Sequence, residues 1–414
     1  MATAQGRMAV RRPPAARWLA LLGPAFVAAM AYVDPGNVAT NVTAGARFGY
    51  ALVWVVVLAN AMAVLVQYLS AKLGIVTERS LAEHLGRRLP ARIRVGYWLQ
   101  AEAVAIATDL AEVVGGAIAL RMLFDLPLVV GAVITAAVAM AVLRIGDMFG
   151  QSALERLVIG FLALIAVGFA AGLVAAPPEA GALAAGLVPG FDGPESVLLA
   201  SGIIGATVMP HVIYLHSGLT ARRLDARGEG RTVRQLLAVT RTDVVAALVV
   251  AGLLNLCLLL VAAASLTGHP GTDKLEGVHA VVTSELGAGI ALLFAVGLLS
   301  SGLGSTSVGS AAGAEIMNGL LGIRVPVLVR RLVTLAPALL LLGAGADPTR
   351  SLVLSQVALS LGIPFALVPL VVLTASRSVM GEHRNSPATT VAASVAAALV
   401  IGLNAVLLWL TFTG

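Results

Sequence analysis

The hydrophobic positions of this 414-residue chain form long, nearly uninterrupted runs. A run of about 20 apolar residues can cross a bilayer as a helix. Eleven such runs predict an all-α polytopic membrane protein with eleven transmembrane helices. Alternating ten-residue segments, which are typical of an outer-membrane barrel, are absent from the sequence. The runs cover approximately residues 18–45, 49–71, 96–120, 126–143, 157–175, 196–220, 243–265, 279–302, 326–343, 351–375 and 388–411.

Composition agrees with this class of protein. Hydrophobic residues make up 59% of the chain and charged residues only 12%, about half of the roughly 25% that is usual in soluble domains. So few charges cannot cover the surface of a soluble protein of this size. This argues against a soluble enzyme, a disordered protein and a nucleic-acid partner, despite the net charge of +6. The single cysteine, Cys257, excludes an intramolecular disulfide.

The distribution of basic residues predicts the orientation of the chain. If the N-terminus is cytoplasmic, 23 of the 27 Lys and Arg residues lie on the cytoplasmic side, as the positive-inside rule requires. An odd number of spans then places the C-terminus outside. The basic and apolar start is similar to a signal peptide, but ten further runs favour a first transmembrane helix. The four basic residues on the other side are Arg47, Arg121, Lys274 and Arg350.

Two of the eleven runs contain, near their middle, a proline directly beside a titratable residue. The first run places Pro35 and Gly36 directly after Asp34, and the sixth places Pro210 between Met209 and a histidine. Proline removes a backbone donor and disfavours helix in the preceding residue. One such proline usually means a simple kink. Two breaks five spans apart, in corresponding positions of two halves, indicate a transporter binding site.

The same spacing predicts an inverted repeat. Because five is an odd number of spans, the two halves cross the membrane in opposite directions. The segment 176–195 has no Lys or Arg and separates the halves. We therefore predict one transmembrane transporter domain over residues 1–414. It has a first repeat at about 18–175, a second at about 194–375 and an extra helix at about 388–411.

The residues at the two breaks form a candidate cation site. Breaking a helix frees carbonyls at the negative end of its dipole, and the candidates are Ala31 and Ala206. Asp34 adds a carboxylate, Asn37 an amide oxygen and Met209 a thioether. Mg²⁺ and Ca²⁺ prefer oxygen ligands, whereas Mn²⁺, Fe²⁺, Co²⁺ and Cd²⁺ tolerate or prefer a softer atom. The pattern therefore indicates a site for a divalent transition metal.

These motifs resemble those of a known family. Asp34-Pro35-Gly36-Asn37 and Met209-Pro210-His211 resemble the two signatures of the Nramp (natural-resistance-associated macrophage protein) family. Segments 43–50, 67–74, 107–112 and 211–217 are similar as well. The resemblance implies a LeuT-like fold with 5+5 inverted repeats and proton-coupled import of divalent metal ions, Mn²⁺ above all. It also implies a multi-pass protein of the bacterial inner membrane that works as a monomer without a resident cofactor.

The resemblance also assigns roles to individual residues. It implies that Gln356 and the Ala31 carbonyl join the metal ligands in some conformational states. The implied metal ligands are Asp34, Asn37, Met209, Ala206, Ala31 and Gln356. The implied proton route consists of Asp34, Glu102, Asp109, Glu112, His211, Arg330 and Arg331.

The acids of the third span also form a pattern of their own. Glu102, Asp109 and Glu112 are seven and three residues apart, so they lie on one face of a helix. Arg330 and Arg331 at the start of the ninth span are candidate counter-charges. Buried acids of this kind can exchange protons near neutral pH, although a static salt-bridge network is the simpler alternative. Neither lysine of the chain lies in a phosphate-binding loop, so transport should be driven by an ion gradient.

Other functions remain to be compared with this hypothesis. The alternative within the same fold is a symporter for an amino acid or another cation, although an amino-acid carboxylate would require positive helix ends at the site. An intramembrane protease is disfavoured because the six histidines form no H-E-x-x-H motif. A channel or a structural role is a third class.

Some polar residues and questions lie outside these hypotheses. We interpret His216, Asp243, Glu285 and Glu315 as structural. The ligands do not rank Mn²⁺ against Fe²⁺, and the sequence does not give the proton stoichiometry.

Overall fold

The computed structural model describes residues 24–149, 151–222 and 232–413. The predicted start of the first span at residue 18 lies outside these ranges, and so does most of the basic loop after the sixth span. Basic residues outside the described ranges are Arg7, Arg11, Arg12, Arg17, Arg223, Arg227 and Arg231.

The described residues fold into α-helices, with one short 3₁₀ turn and no strand. The first half contains α1 (Pro24–Ala31), α2 (Pro35–Phe48), α3 (Val53–Thr77), α4 (Leu81–Arg88), α5 (Ala91–Phe124), α6 (Leu128–Phe149), α7 (Gln151–Ala175) and α8 (Ala180–Ala185). The second half contains α9 (Gly193–Thr207), α10 (Pro210–Arg222), α11 (Val233–Ser265), α12 (Leu275–Glu285), α13 (Ala288–Leu321), α14 (Val327–Gly343), α15 (Pro348–Ala375), α16 (Arg377–Met380) and α17 (Pro387–Thr413).

Seven helical segments of the described chain are long and apolar enough to cross a membrane. They are α3, α5, the pair α9 and α10, α11, α13, α15 and α17. Shorter apolar stretches occupy Leu128–Arg144 and Ile159–Ala175. The all-α, multi-pass membrane class is therefore confirmed, whereas the exact number of eleven spans stays a prediction.

One predicted span has the wrong boundaries. The run 279–302 was expected to be one helix, but it covers the end of α12 and the first half of α13. Gly287 lies between them with a φ of 92°, a left-handed conformation that glycine adopts without the steric cost of a Cβ. The apolar run continues through this turn, so hydropathy alone does not reveal the break. The membrane helix α13 instead extends to Leu321.

The interior of the bundle is formed by the helices that carry the sequence motifs. Helix α13 packs along α5 and α7, α11 packs against α2 and α3, and α9 packs against α15. The two broken runs, α1–α2 and α9–α10, lie within this arrangement. Nearly all described residues of both breaks are buried, including every residue from Ala28 to Ala46. The breaks therefore lie inside the protein and away from lipid.

Candidate metal-binding site

The first break is shaped by Asp34 and Pro35. Pro35 is the first residue of α2, where its missing N–H costs no helix hydrogen bond. Asp34 is the N-cap, and its Oδ1 accepts a hydrogen bond from the backbone N–H of Asn37 at 2.7 Å. Nδ2 of Asn37 donates to the same oxygen at 2.9 Å. The break thus holds the carboxylate and the amide side by side.

The backbone of this break is also supported by two helices of the second half. The carbonyl of Tyr32 accepts a hydrogen bond from Nδ2 of Asn255 at 2.8 Å. The carbonyl of Val33 accepts one from Oγ of Ser301. A buried carbonyl without a partner would be costly, so these side chains stabilise the non-helical turn. Sequence reasoning missed both residues, and their only signal was a polar side chain within an apolar run.

The second break lies directly against the first. Helix α9 ends at Thr207 and α10 begins at Pro210, with Met209 fully buried between them. The carbonyl of Ala206 accepts a hydrogen bond from Nδ2 of Asn37 at 2.8 Å. From α15, Nε2 of Gln356 lies 3.5 Å from Oδ2 of Asp34. The structure therefore brings residues of three separate segments into contact around one carboxylate.

The expectation of free carbonyls at Ala31 and Ala206 is wrong for this structure. The Ala31 carbonyl accepts a hydrogen bond from the Asp34 N–H at 3.2 Å, because the chain makes a turn before α2 begins. The Ala206 carbonyl is engaged by the Asn37 amide. Among the six candidate ligand residues, the side-chain amide oxygens Oδ1 of Asn37 and Oε1 of Gln356 have no hydrogen-bond partner in the described chain.

This set of atoms suits a cation. Buried acceptors without partners are rare in folded proteins and usually mark a missing water, ion or functional group. Here two amide oxygens of that kind belong to residues that are hydrogen-bonded to a buried carboxylate, and Met209 is buried three residues after Ala206. Among the described residues, no group of three or more His, Cys, Asp or Glu could hold a metal. A metal at this site would therefore rely on one carboxylate with amide, carbonyl and thioether atoms.

Glycine permits the close approach of Gln356. A Cβ at Gly36 would lie 1.7 Å from Nε2 of Gln356, and one at Gly205 would lie 2.0 Å from the Gln356 backbone carbonyl. Real Cβ contacts are essentially never this short, and crowding of this kind is destabilising. The absence of a side chain thus lets Gly36 contact the Gln356 side chain and lets Gly205 contact the Gln356 backbone.

A large cavity leads toward the site from one side of the bundle. Its volume is about 610 Å³, and its lining includes Thr43, Leu199 and Val353. Val353 lies three residues before Gln356 on α15, so the cavity lining comes within about one helical turn of Gln356. An ion pair between Arg47 and Glu195 lies at its lining. The sequence predicts that this side is extracytoplasmic.

The acids of α5 meet the arginines of α14. Arg331 pairs with Asp109 and, through Nη2, with Oε2 of Glu112 at 2.9 Å. Arg330 lies 3.4 Å from Glu102 at the other end of the stripe. Hydroxyl Oγ1 of Thr306 also donates to Glu112 at 2.9 Å. The structure thus assembles the whole predicted set of acids and counter-charges in one network.

Histidine 211 has a different environment. It is buried in the first turn of α10, and neither ring nitrogen has a hydrogen-bond partner in the described ranges.

Three of the four polar residues that the sequence analysis interprets as structural form hydrogen bonds or ion pairs outside the candidate site. Nδ1 of His216 lies 2.9 Å from Oε1 of Gln67, and Glu315 pairs with Arg222 at 2.6 Å. Oδ2 of Asp243 accepts from the Ala25 N–H at 3.3 Å. Glu285 is the last residue of α12.

The helical breaks and the buried site define a multi-pass membrane transporter with a LeuT-like fold. The transporter MhsT, solved with L-phenylalanine, has this fold at a TM-score of 0.62 and 14% identity, with 92% of this chain and 98% of that chain covered. At that identity the likeness shows the fold alone. The family model described as natural resistance-associated macrophage protein-like matches residues 25–410. The chain therefore belongs to the Nramp family.

Two relatives at higher identity agree. A divalent metal cation transporter, MntH, of Mycobacterium tuberculosis is 57% identical over 394 residues, which cover 95% of this chain and 92% of the relative. The manganese transporter of Eremococcus coleocola, solved with an aromatic bis-isothiourea compound, superposes with a TM-score of 0.84 at 30% identity. That match covers 95% of this chain and 87% of that chain. The protein is therefore a divalent metal cation transporter and not an enzyme.

Proposed function

We propose that this divalent metal cation transporter is a proton-coupled symporter that imports Mn²⁺ by alternating access, with Fe²⁺, Co²⁺ and Cd²⁺ as further substrates. It would act as a monomer in the lipid bilayer of the bacterial inner membrane, with the N-terminus cytoplasmic and the C-terminus extracytoplasmic. One observation carries the proposal. Two broken helices meet at a buried carboxylate, where the amide oxygens of Asn37 and Gln356 lack hydrogen-bond partners within the described chain.

The choice of metal rests on the donor atoms. A bound dication would satisfy both amide oxygens and neutralise Asp34, which otherwise is a buried charge. Met209 favours a soft dication, because Ca²⁺ and Mg²⁺ gain little from a thioether. The relative from Eremococcus coleocola is itself described as a manganese transporter. These points support Mn²⁺ as the main substrate.

Proton coupling rests on the network around Arg331. Ionisable groups inside a membrane bundle are expensive and usually mark a route for ions or protons. Asp109 and Glu112 share one guanidinium, so the pair carries one more carboxylate than Arg331 can balance. A proton taken up by one of the two acids would restore neutrality. His211 borders the second break and could exchange a proton with solvent or with the site.

Alternating access is supported by a cavity on one side of the site. The 610 Å³ cavity reaches toward Gln356 from the predicted extracytoplasmic side. Gln356 is in turn hydrogen-bonded to Asp34 at the site. We infer that a metal ion enters by this route and that α1–α2 and α9–α10 then rearrange to release it on the other side.

The proposal is tested with purified protein in liposomes that contain a pH-sensitive dye. We expect Mn²⁺ uptake that saturates, accelerates under an inward proton gradient and acidifies the lumen. Fe²⁺, Co²⁺ and Cd²⁺ should compete, whereas Ca²⁺ and Mg²⁺ should not. Metal uptake without lumenal acidification would reject proton coupling and leave the metal site untouched. Uptake that does not saturate would indicate a channel instead.

A further inference from the structure

A second feature of the molecule lies outside the transport path, at the elbow between α4 and α5. We call the segment Arg87–Arg92 the α4–α5 elbow. Its arginines Arg87, Arg88 and Arg92 are all exposed, and only two residues, Leu89 and Pro90, separate the two helices. Among the described residues, none of the three forms an ion pair with a carboxylate, and their one side-chain hydrogen bond joins Nη1 of Arg88 to Nδ1 of His84. Three guanidinium groups thus face outward within six residues.

The helix that follows the elbow presents an apolar stripe directly below Arg92. Val95 and Leu99 are three and seven residues further along α5, so they share one face of the helix with Arg92. Val95 is 44% exposed and Leu99 is 55% exposed. Between them, a Cβ at Gly96 would meet nothing within 4 Å. The surface therefore passes from several positive charges to exposed apolar side chains over two helical turns.

The buried ring of His84 lies close to these arginines. Its ring is buried beside the elbow, where burial and the charges of Arg88, Arg79 and Arg87 lower its pKa from 6.5 to about 4. Glu83, the nearest acid on α4, has one oxygen engaged by the Ser80 N–H in a capping box. The basic groups at this end of α4 thus act together on one buried ring, and a bound anion would reduce their mutual repulsion.

We propose that the α4–α5 elbow binds the phosphate headgroup of an anionic phospholipid, with an acyl chain along Val95 and Leu99. Guanidinium groups suit this partner because they bind phosphate through paired hydrogen bonds. A cluster of basic residues beside a transmembrane helix is attracted to anionic lipids. The order of the groups, with positive charge above and apolar surface below, matches the order of headgroup and acyl chain in a leaflet.

The elbow is connected to the moving parts of the transporter. The N–H of Leu81, the first residue of α4, donates to Oγ of Ser217 on α10 at 2.9 Å. At the other end of α4, a Cβ at Gly86 would lie 2.1 Å from the Gly319 carbonyl on α13. A lipid at the elbow would therefore stabilise a helix that packs between the second broken run and α13. This connection predicts that lipid binding raises thermal stability.

The experiment compares three full-length proteins in detergent with added phosphatidylglycerol. They are the wild type, an elbow variant R87Q/R88Q/R92Q and a control variant R234Q/R377Q/R384Q. The control removes the same charge from exposed arginines that the sequence places on the same side of the membrane. Each basic residue near an anionic surface contributes about fivefold in affinity. We expect the elbow variant to bind phosphatidylglycerol roughly 100-fold more weakly in native mass spectrometry, and the lipid to raise its Tm less than that of the other two proteins.

Two further ligands and one further variant distinguish the possible explanations of the result. Phosphatidylcholine tests whether any lipid suffices, and inorganic phosphate tests whether a free anion does. R87K/R88K/R92K retains the charge and should bind the anionic lipid within about tenfold of the wild type, which separates charge loss from misfolding. Equal phosphatidylglycerol binding by all three principal proteins would overturn the proposal. So would a Tm increase produced equally by phosphatidylcholine, or one produced fully by inorganic phosphate.

Discussion

At the scale of single residues, the carboxylate of Asp34 serves the fold and the site together. It caps α2 through the Asn37 N–H, and its carboxylate is hydrogen-bonded to the side chains of both Asn37 and Gln356. Asp34→Ala should abolish Mn²⁺ uptake, while loss of the cap costs about 1 kcal/mol of stability. Asp34→Asn keeps an oxygen that can cap the helix but removes the charge, so it should also fail to transport. Near-normal liposome uptake by the Asn variant would show that the negative charge is dispensable.

Met209 is the residue on which metal selectivity should depend. Met209→Ala removes the sulfur, so Mn²⁺ uptake should fall only in part while Ca²⁺ or Mg²⁺ begins to compete. Met209→Leu keeps the bulk without the sulfur and should behave similarly. Met62, which is buried in α3, gives a matched control in Met62→Ala. Competition assays across a panel of divalent ions check this prediction, and unchanged selectivity in both Met209 variants would remove the argument from sulfur.

His84 should give the protein an acid-sensitive component of stability. Its folded pKa of about 4 lies below its ordinary value of 6.5, because burial and neighbouring arginines disfavour the charged ring. Between these two pH values the unfolded chain binds more protons than the folded one, so stability rises with pH across this window and is lost on acidification.

The variant His84→Gln tests this prediction. Its Tm should vary less than that of the wild type between about pH 4 and 6.5 in thermal unfolding experiments. The comparison between the two proteins isolates His84, because every other titrating group is shared. Parallel pH profiles would contradict the assignment.

At the scale of helices, the contact between α9 and α15 depends on the absence of a side chain. Gly205→Ala would place a Cβ 2.0 Å from the Gln356 carbonyl, and overpacking of this kind costs typically 1–3 kcal/mol. We expect a lower Tm and a severe loss of uptake, because Gln356 would be displaced from Asp34. Gly402→Ala on α17 is the matched control, since nothing lies within 4 Å of its Cβ. Equal uptake by the two variants would contradict a role for this contact.

The two breaks could be predicted because their signals are local. Proline and glycine determine backbone geometry at their own positions, so Pro35 and Pro210 mark the starts of α2 and α10 in the sequence. The boundary at Gly287 could not be predicted from hydropathy, because both flanking segments are apolar and glycine is common throughout the chain. The short helix α4 escaped prediction because it is too short to appear as a membrane run, and the end of α12 was merged into the run 279–302.

The candidate site shows the same division between local and distant information. Asp34, Asn37 and Met209 belong to compact motifs, so their types and spacing indicate the chemistry. Asn255 and Ser301 support the first break from helices more than 200 residues away. No sequence spacing relates Asn255 or Ser301 to the first break. The hydrogen bond from the Asp34 N–H to the Ala31 carbonyl could not be predicted, because it arises from a turn that only the folded backbone reveals.

At the scale of the whole molecule, the number of spans decides on which side of the membrane the C-terminus lies. Within residues 24–149, 151–222 and 232–413, seven helical segments meet the length and hydropathy required of a span, and the eleven-run interpretation depends on the charge asymmetry as well. With 23 basic residues predicted on one side, the rule for positive charges gives a cytoplasmic start. An odd count then requires Thr413, the last residue of α17, to be extracytoplasmic.

Labelling of single cysteines tests this topology directly. In a Cys257→Ala background, Thr413→Cys should react with a membrane-impermeant maleimide in intact cells. Arg377→Cys, an exposed position at the start of α16, should react only after permeabilisation, because α17 alone separates the two sites. Each variant controls for the accessibility of the other, and Mn²⁺ uptake verifies that both are folded. Labelling of both cysteines from the same side would mean that α17 does not cross the membrane, and reversed labelling would mean that the whole orientation is inverted.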